Sequence, residues 1–155
     1  MLPNPEIVEQ IKPGTRLYVA IPYSGVEEHS FKVANKATAS LMNDGYVPYS
    51  PITHNHVVAT KHQLPGNWEF WKAQDIPYIE HFCEAVIVVG VWAFGEYNPE
   101  DEYSSWKYIL KSVGVQAEIQ AAIDSNKPVY LYCYITNRFL NYEKYKEKTL
   151  NTVDS

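Results

Sequence analysis

The sequence of 155 residues lacks the features that mark membrane, secreted or nucleic-acid-binding proteins. It has no run of about 18 apolar residues, the length that a membrane-spanning helix needs. Its first residues lack the charged and apolar regions of a secretion signal. Lys and Arg number 13 against 18 Asp and Glu, so the net charge is −5 and no basic stripe is available for a phosphate backbone. We therefore expect a cytoplasmic protein that binds neither membranes nor nucleic-acid polymers.

Cysteine is scarce too. Cys83 and Cys133 stand in apolar surroundings, and neither has a second cysteine at CxxC spacing. This excludes the common redox and zinc motifs and predicts two buried thiols. The GxGxxG and GxxxxGK[ST] motifs for dinucleotides and phosphates are missing as well, and we expect no cofactor.

What the sequence does contain is an alternation of strand and helix patterns. Apolar, strand-forming runs at 16–21, 46–49, 85–91 and 129–134 are separated by helical patterns such as those at 26–43 and 112–125. This order predicts an α/β fold of the flavodoxin-like or Rossmann-like type, an open parallel sheet of four or five strands with helices on both faces. We expect the strands at 16–21 and 85–91 to be adjacent and central.

The length fits a single domain over 1–155. Within it we expect an N-terminal extension at 1–14 with a short helical pattern, and an α/β core at 15–134. A C-terminal helix at 135–155 should begin near Arg138 and fray after Lys148. Ligands bind at the carboxyl ends of strands in such sheets, which directs attention to the loops that follow the predicted strands.

One insertion, residues 92–111, interrupts the rhythm of strands and helices. Six aromatic residues stand there among acidic ones. Exposed on a monomer, these aromatic side chains would favour aggregation, and aromatic residues are enriched in interface cores. We therefore predict a lid over the pocket mouth and a homo-oligomer, most simply a two-fold dimer. The alternative is that the segment folds back onto its own domain.

The segment from Ser112 to Glu118 is the most informative for chemistry. Ser112 can cap a helix, and Gly114 lets a ligand approach the backbone near the free N–H groups of the first turn. That helix end favours an ionised Glu118, and a carboxylate held in a pocket can attack a sugar carbon. The alternative is an ordinary capped helix with a solvated glutamate.

Asp75 and the histidines have two interpretations each. Asp75 is either the N-cap of a helix that restarts at Pro77, or a second carboxylate that binds sugar hydroxyls or moves a proton. His54, His56 and His62 lie in the predicted loop at 52–66, where they are either surface residues or part of the polar lining of the pocket. No further ligand stands at typical spacing, so no metal site is expected.

Four motifs in order resemble the nucleoside 2-deoxyribosyltransferase-like superfamily, which includes the 2′-deoxynucleoside 5′-phosphate N-hydrolases. They are the run from Leu17 to Ser24, the Ser-Pro-Ile at 50–52, Asp75, and Ser112-x-Gly114-x-x-x-Glu118. The resemblance covers about residues 15–134. It implies cleavage of an N-glycosidic bond, by hydrolysis or by 2-deoxyribosyl transfer, in dimers or higher homo-oligomers whose neighbouring subunits help to close the site.

The resemblance also implies roles for individual residues. Glu118 matches the nucleophile that attacks C1′, and Asp75 matches the aspartate that contacts the sugar and assists the leaving base. Tyr18 matches a tyrosine that places the glutamate, and Ser112 matches a serine that binds a 5′-phosphate. The predicted substrate-binding set is Tyr18, Pro22, Tyr23, Ser24, His56, Ser112 and Gly114.

Two departures from the family pattern bear on the substrate. The loop at 22–28 is acidic and lacks the arginine that the hydrolases use for phosphate, and Cys83-Glu84 replaces the usual aspartate before the third strand. Both phosphorylated and free nucleosides thus stay open as partners. The alternative function is a non-catalytic module that senses or sequesters a nucleotide-derived ligand.

Overall fold

The structure, a computed structural model, describes residues 8–90 and 106–153. Most of the predicted insertion at 92–111 lies outside these residues, so its role as lid or interface stays a prediction. Within the described residues the chain forms six strands and six helices. In chain order they are β1 Val8–Glu9, β2 Arg16–Ala20, α1 Glu27–Asn43, β3 Val47–Tyr49, α2 Pro51–Lys61, α3 Trp68–His81, β4 Ala85–Val89, α4 Trp106–Lys111, α5 Val113–Asp124, β5 Val129–Cys133, β6 Arg138–Asn141 and α6 Tyr142–Val153.

The strands form one mostly parallel sheet in the order β1-β6-β5-β4-β2-β3. The four strands β5, β4, β2 and β3 run parallel, and β2 pairs with β4 through Tyr18 and Val86, as predicted. Every residue of β4 is buried, which is what a strand covered on both faces requires. The α/β fold class is therefore confirmed.

Helices cover both faces of the sheet, so the protein has one hydrophobic core on each face. Alternate side chains of β2 pack into one core or the other. Leu17 and Val19 pack with α1 through residues such as Leu41. Tyr18 and Ala20 face the other core, which contains residues of α3 and α5. The period of two along a strand therefore places Tyr18 on the same side as α5.

The two cysteine thiols are buried, as the sequence predicted. Both Cys83 and Cys133 belong to the core that packs under α3 and α5. Burial raises the pKa of Cys83 to about 12, an effect that nearby Lys127 and Arg16 oppose. A thiolate is therefore disfavoured at neutral pH, and Cys83 packs as a small apolar side chain.

The sheet has two antiparallel strands that the sequence analysis missed, so it has six strands instead of four or five. Residues 138–141 form β6, where a helix was predicted, and the helix begins at Tyr142 and continues to Val153. Asn137, with φ 56°, turns the chain between β5 and β6. Its Oδ1 accepts hydrogen bonds from Ser40 Oγ at 2.5 Å and Tyr132 OH at 3.1 Å. This left-handed turn builds a hairpin, because asparagine tolerates a positive φ.

Three other local predictions were wrong. Residues 8–9 form strand β1 beside β6 in place of a helical pattern. The predicted histidine loop contains helix α2, since Ser50 caps it by accepting from Thr53 N and proline follows at the first position. Helix α3 is continuous, with Asn67 as its cap and Pro77 inside it. Asp75 is therefore a mid-helix residue and not an N-cap.

Among the helices formed by the described residues, none has both the length and the apolar character needed to cross a bilayer.

Candidate active site

A cavity of about 390 Å³ opens at the carboxyl end of β2. Its walls are the loop at 21–26 and parts of α2, α3, α4 and α5. The position is the one expected for a ligand in an open parallel sheet, and the volume suits a small molecule.

Eight of the nine predicted site residues line this cavity. They are Pro22, Tyr23, Ser24, His56, Asp75, Ser112, Gly114 and Glu118. The ninth, Tyr18, is fully buried, and its hydroxyl donates a hydrogen bond to Glu118 Oε2. The fold therefore brings together residues that lie up to 100 positions apart in the chain. Their roles in catalysis and binding remain predictions.

Glu118 lies on α5 with only 6% of its surface exposed. Burial raises its pKa to about 8; the hydrogen bond from Tyr18 lowers the pKa, and the charge of Asp75 raises it. The sequence analysis expected the helix N-terminus to keep this carboxylate ionised. In the structure the cost of burying a charge outweighs that effect, because the group lies inside the protein and not on a solvated helix end.

Asp75 lies on α3 and is buried as well. Burial raises its pKa to about 7, and the charge of His54 lowers it. Asn55 Nδ2 donates to Asp75 Oδ1 over 3.4 Å. Because the charge of Asp75 raises the pKa of Glu118, the two carboxyl groups form an interacting pair. Such a pair can hold one proton near neutral pH, which leaves one acid and one carboxylate.

Tyr18 keeps its proton in this environment. Burial raises its pKa well above the ordinary value, and the charges of Glu118 and Asp75 raise it further. The hydroxyl therefore acts as a hydrogen-bond donor to Glu118 and favours the ionised form of that carboxyl group.

Ser112 is the N-cap of α5, as predicted, and its Oγ accepts a hydrogen bond from Val115 N at 3.2 Å. Two residues later, Gly114 lies against the indole of Trp68 on α3. A Cβ at this position would stand 3.4 Å from Trp68 Cε3. The glycine thus brings α3 and α5 close together on one side of the cavity.

The two histidines of the His-x-His pair both lie on helix α2 but in different surroundings. His56 is buried, with its Nδ1 2.6 Å from Tyr23 OH, whereas His54 is exposed and its Nδ1 lies 2.8 Å from Asn55 Oδ1. Across the described residues, no group of three or more His, Cys, Asp or Glu side chains is arranged to hold a metal ion.

Sequence reasoning missed several residues that line the cavity. They are Asn55, Trp68, Trp71 and Lys111. The spacing of Trp68, Trp71 and Asp75, at positions i, i+3 and i+7, places them on one face of a helix. This spacing is visible in the sequence, but it indicates a shared face only if residues 68–81 form one helix, and we predicted that a new helix starts at Asp75.

Comparisons with known proteins found a matching family and a similar solved structure. Residues 15–97 match a family described as "Domain of unknown function (DUF1937)", a range that ends before Ser112 and Glu118. No curated protein matches the chain. Among solved structures, a 2-deoxyribosyltransferase from the psychrotolerant bacterium Bacillus psychrosaccharolyticus is similar with a TM-score of 0.46 and 21% identity. That similarity covers 77% of this chain and 72% of the other.

Proposed function

The chain belongs to the family described as "Domain of unknown function (DUF1937)", and since that description assigns no activity, we propose a function from the chemistry of the cavity. The protein cleaves the N-glycosidic bond of a nucleoside or nucleotide, as a hydrolase or a 2-deoxyribosyltransferase, with Glu118 as nucleophile. It needs no metal or organic cofactor for this reaction.

One observation carries the proposal: a buried glutamate, hydrogen-bonded by a buried tyrosine, shares a small-molecule cavity with a buried aspartate. Burying two carboxyl groups costs stability, so such pairs are concentrated at functional sites. Retaining cleavage of a glycosidic bond uses two such groups, one as nucleophile and one as acid and base. The motif resemblance assigns the same two roles to Glu118 and Asp75.

The first step needs the form of the pair in which Asp75 holds the single proton and Glu118 is ionised. This is the less populated form, because the pKa of Glu118 is about 8 and that of Asp75 about 7, and the hydrogen bond from Tyr18 favours it. An oxygen of Glu118 forms a bond to C1′ while the bond from C1′ to the base nitrogen breaks, and the proton of Asp75 passes to the departing base. The product is a glycosyl ester on Glu118 and a neutral free base.

The second step releases the sugar. Asp75 accepts a proton from a water molecule or a second base, which attacks C1′ as the ester bond breaks. Glu118 returns to its carboxylate form, and Asp75 holds one proton again. Tyr18 donates to one Glu118 oxygen throughout and so keeps the carboxylate oriented.

The aromatic lining suits the planar half of such a substrate. Trp68 and Trp71 project from one face of α3 into the lining, where their indoles provide flat apolar surface for a base. Glu27 and Glu28, in the first turn of α1 next to the loop after β2, favour an uncharged nucleoside, whereas Lys111 provides a positive charge next to Ser112 for a phosphate. The substrate panel must therefore contain both forms.

The test measures release of free base from a panel of deoxynucleosides, ribonucleosides and their 5′-monophosphates by liquid chromatography. Glu118→Ala should lower the rate by orders of magnitude. Glu147→Gln, an exposed change on α6, is the matched control and should keep the rate. Release of base at equal rates by wild type and Glu118→Ala would contradict the proposal.

A second candidate function is a binding module for the same class of ligand. The raised pKa of Glu118 favours it, because a protonated glutamate is a hydrogen-bond donor and not a nucleophile. Mass spectrometry after incubation separates the two functions. Intact ligand recovered in stoichiometric amounts favours binding, and free base with sugar favours the enzyme.

We also propose that the protein is a homo-oligomer in which residues 92–111 cover the cavity or contact a neighbouring copy. The support is the aromatic composition of that segment. Light scattering at several concentrations tests it, and a monomer at every concentration would contradict it.

A further inference from the structure

A chain of three side chains connects the surface of α1 to the cavity. Tyr23 OH lies 2.6 Å from His56 Nδ1, and His56 Nε2 lies 3.0 Å from Glu28 Oε1. The His56 ring also stacks on Phe31 with 4.4 Å between ring centroids. His56 is buried, whereas the Glu28 side chain is 77% exposed. The imidazole is thus fixed on both nitrogens and on one face.

The positions of the protons follow from the donors and acceptors. An ionised Glu28 carboxylate can only accept, so His56 Nε2 carries a hydrogen and donates it. In the neutral ring Nδ1 then has a lone pair, and it accepts the hydrogen of the Tyr23 hydroxyl. Tyr23 keeps this hydrogen because burial raises its pKa, and the charges of Glu27 and Glu28 raise it further.

This arrangement determines what the Tyr23 hydroxyl can offer. Its single hydrogen is used by His56, so the oxygen has only lone pairs left for another partner. Tyr23 and His56 both line the cavity, and Glu27 and Glu28 in the first turn of α1 add negative charge beside the Tyr23 loop. A group that donates a hydrogen bond fits this wall, and a phosphate does not.

The Tyr23 loop is itself held in place. Ser30 Oγ donates to Pro22 O, and Val26 N donates to Tyr23 O at 3.1 Å. Because the backbone on both sides of Tyr23 is fixed, the orientation of its ring depends mainly on His56. The ring centroids of Tyr23 and His56 are 5.7 Å apart, and the two ring planes are nearly perpendicular.

We propose that Glu28 is a positioning residue that acts through His56 to present the Tyr23 oxygen as a hydrogen-bond acceptor for a hydroxyl or amino group of the ligand. The nature of the ligand rests on the proposed function, whereas the proton arrangement does not. For a nucleoside, the donor is a sugar hydroxyl or an exocyclic amino group of the base.

The first test needs no ligand. Long-range ¹H–¹⁵N spectra of the full chain at pH 8, with labelled histidine, report which ring nitrogen is protonated, and a His56→Asn variant assigns the signals. We expect the Nε2-protonated form in the wild type and a mixture of both neutral forms in Glu28→Ala. The Nδ1-protonated form in the wild type would overturn the proposal, as would an unchanged spectrum in Glu28→Ala.

The second test separates binding from chemistry with steady-state kinetics on a free nucleoside. Tyr23→Phe and Glu28→Ala should each raise KM by about 2- to 10-fold, the range for one hydrogen bond, with kcat nearly unchanged. Glu28→Gln should restore part of the loss, because its amide oxygen still accepts from Nε2. Glu147→Gln, which removes one exposed negative charge outside the cavity lining, is the control and should leave KM unchanged.

A double variant shows whether Glu28 acts through Tyr23. If it does, Tyr23→Phe combined with Glu28→Ala is no worse than Tyr23→Phe alone. Additive losses would overturn the proposal. If no nucleoside is cleaved, dissociation constants from calorimetry replace KM, and the histidine spectra still decide the proton arrangement independently of the proposed function.

Discussion

Replacing Glu118 with glutamine should stabilise the folded protein, and the gain should grow as the pH rises. Glu118 is buried with a pKa of about 8, against an ordinary value of 4.5. Glutamine has the same shape, can still accept a hydrogen bond from Tyr18, and carries no charge. The substitution therefore removes the ionisation and little of the packing.

The sign follows from proton binding. Between pH 4.5 and about 8 the folded protein holds a proton on Glu118 that the unfolded chain has released. Raising the pH through this window therefore favours the unfolded state, and the stability of the wild type falls. At about 1.4 kcal/mol per pKa unit, the loss attributable to Glu118 between pH 5 and pH 8.5 is about 4 kcal/mol.

The assay is urea unfolding followed by tryptophan fluorescence at pH 5 and pH 8.5. Relative to wild type, Glu118→Gln should gain up to about 4 kcal/mol more free energy of unfolding at pH 8.5 than at pH 5. Glu147→Gln on exposed α6 controls for the loss of a charge and should show no such pH dependence. An equal difference at the two pH values, or a less stable variant at pH 8.5, would refute the reasoning.

Four further predictions follow from the same structure. In the pH dependence of kcat/KM, Tyr18→Phe should move the ionisation of Glu118 to higher pH, because it removes a hydrogen bond that lowers the pKa of Glu118. Asp75→Asn should move this ionisation to lower pH, because it removes a like charge. Shifts in the opposite directions would contradict the assigned causes. Asn137→Ala should lower the free energy of unfolding by about 1–2 kcal/mol in urea titrations, because alanine is strained at a positive φ and both hydrogen bonds of the side chain are lost. Asn137→Gly tolerates the positive φ, so its loss of stability reports the missing hydrogen bonds. Lys127→Met should lower it by about 1 kcal/mol, because the ammonium group donates to the last carbonyls of α3, and an unchanged urea midpoint would show that this cap is dispensable.

The parallel strands were predictable because their side chains carry a strong local signal. The run at 85–89 is apolar at every position, which is the pattern of a strand that is buried on both faces. Strand β6 has a weak signal of its own. Its four residues form a strand because Asn137 turns the chain back beside β5, a contact that depends on Ser40 from a distant helix.

The candidate site was predictable at its charged residues and less so at its walls. Glu118 and Ser112 lie in one short motif, so their common helix was visible in the sequence. The pKa of Glu118 was not predictable, since it depends on how deeply α5 is buried. The position of Trp68 depended on recognising α3 as one helix, and Pro77 argued locally against that.

The edge strand β3 affects how copies of the protein can meet. It has three residues, and Pro48 is the central one. Val47 N donates inward to Thr15 O, so the next backbone nitrogen along the strand points away from the sheet. Proline has no hydrogen there to offer, and a foreign strand finds no donor at that position. Growth of the sheet by strand addition, the first step of fibril-like aggregation, is therefore disfavoured at this edge, and self-association there must use helix or loop surfaces.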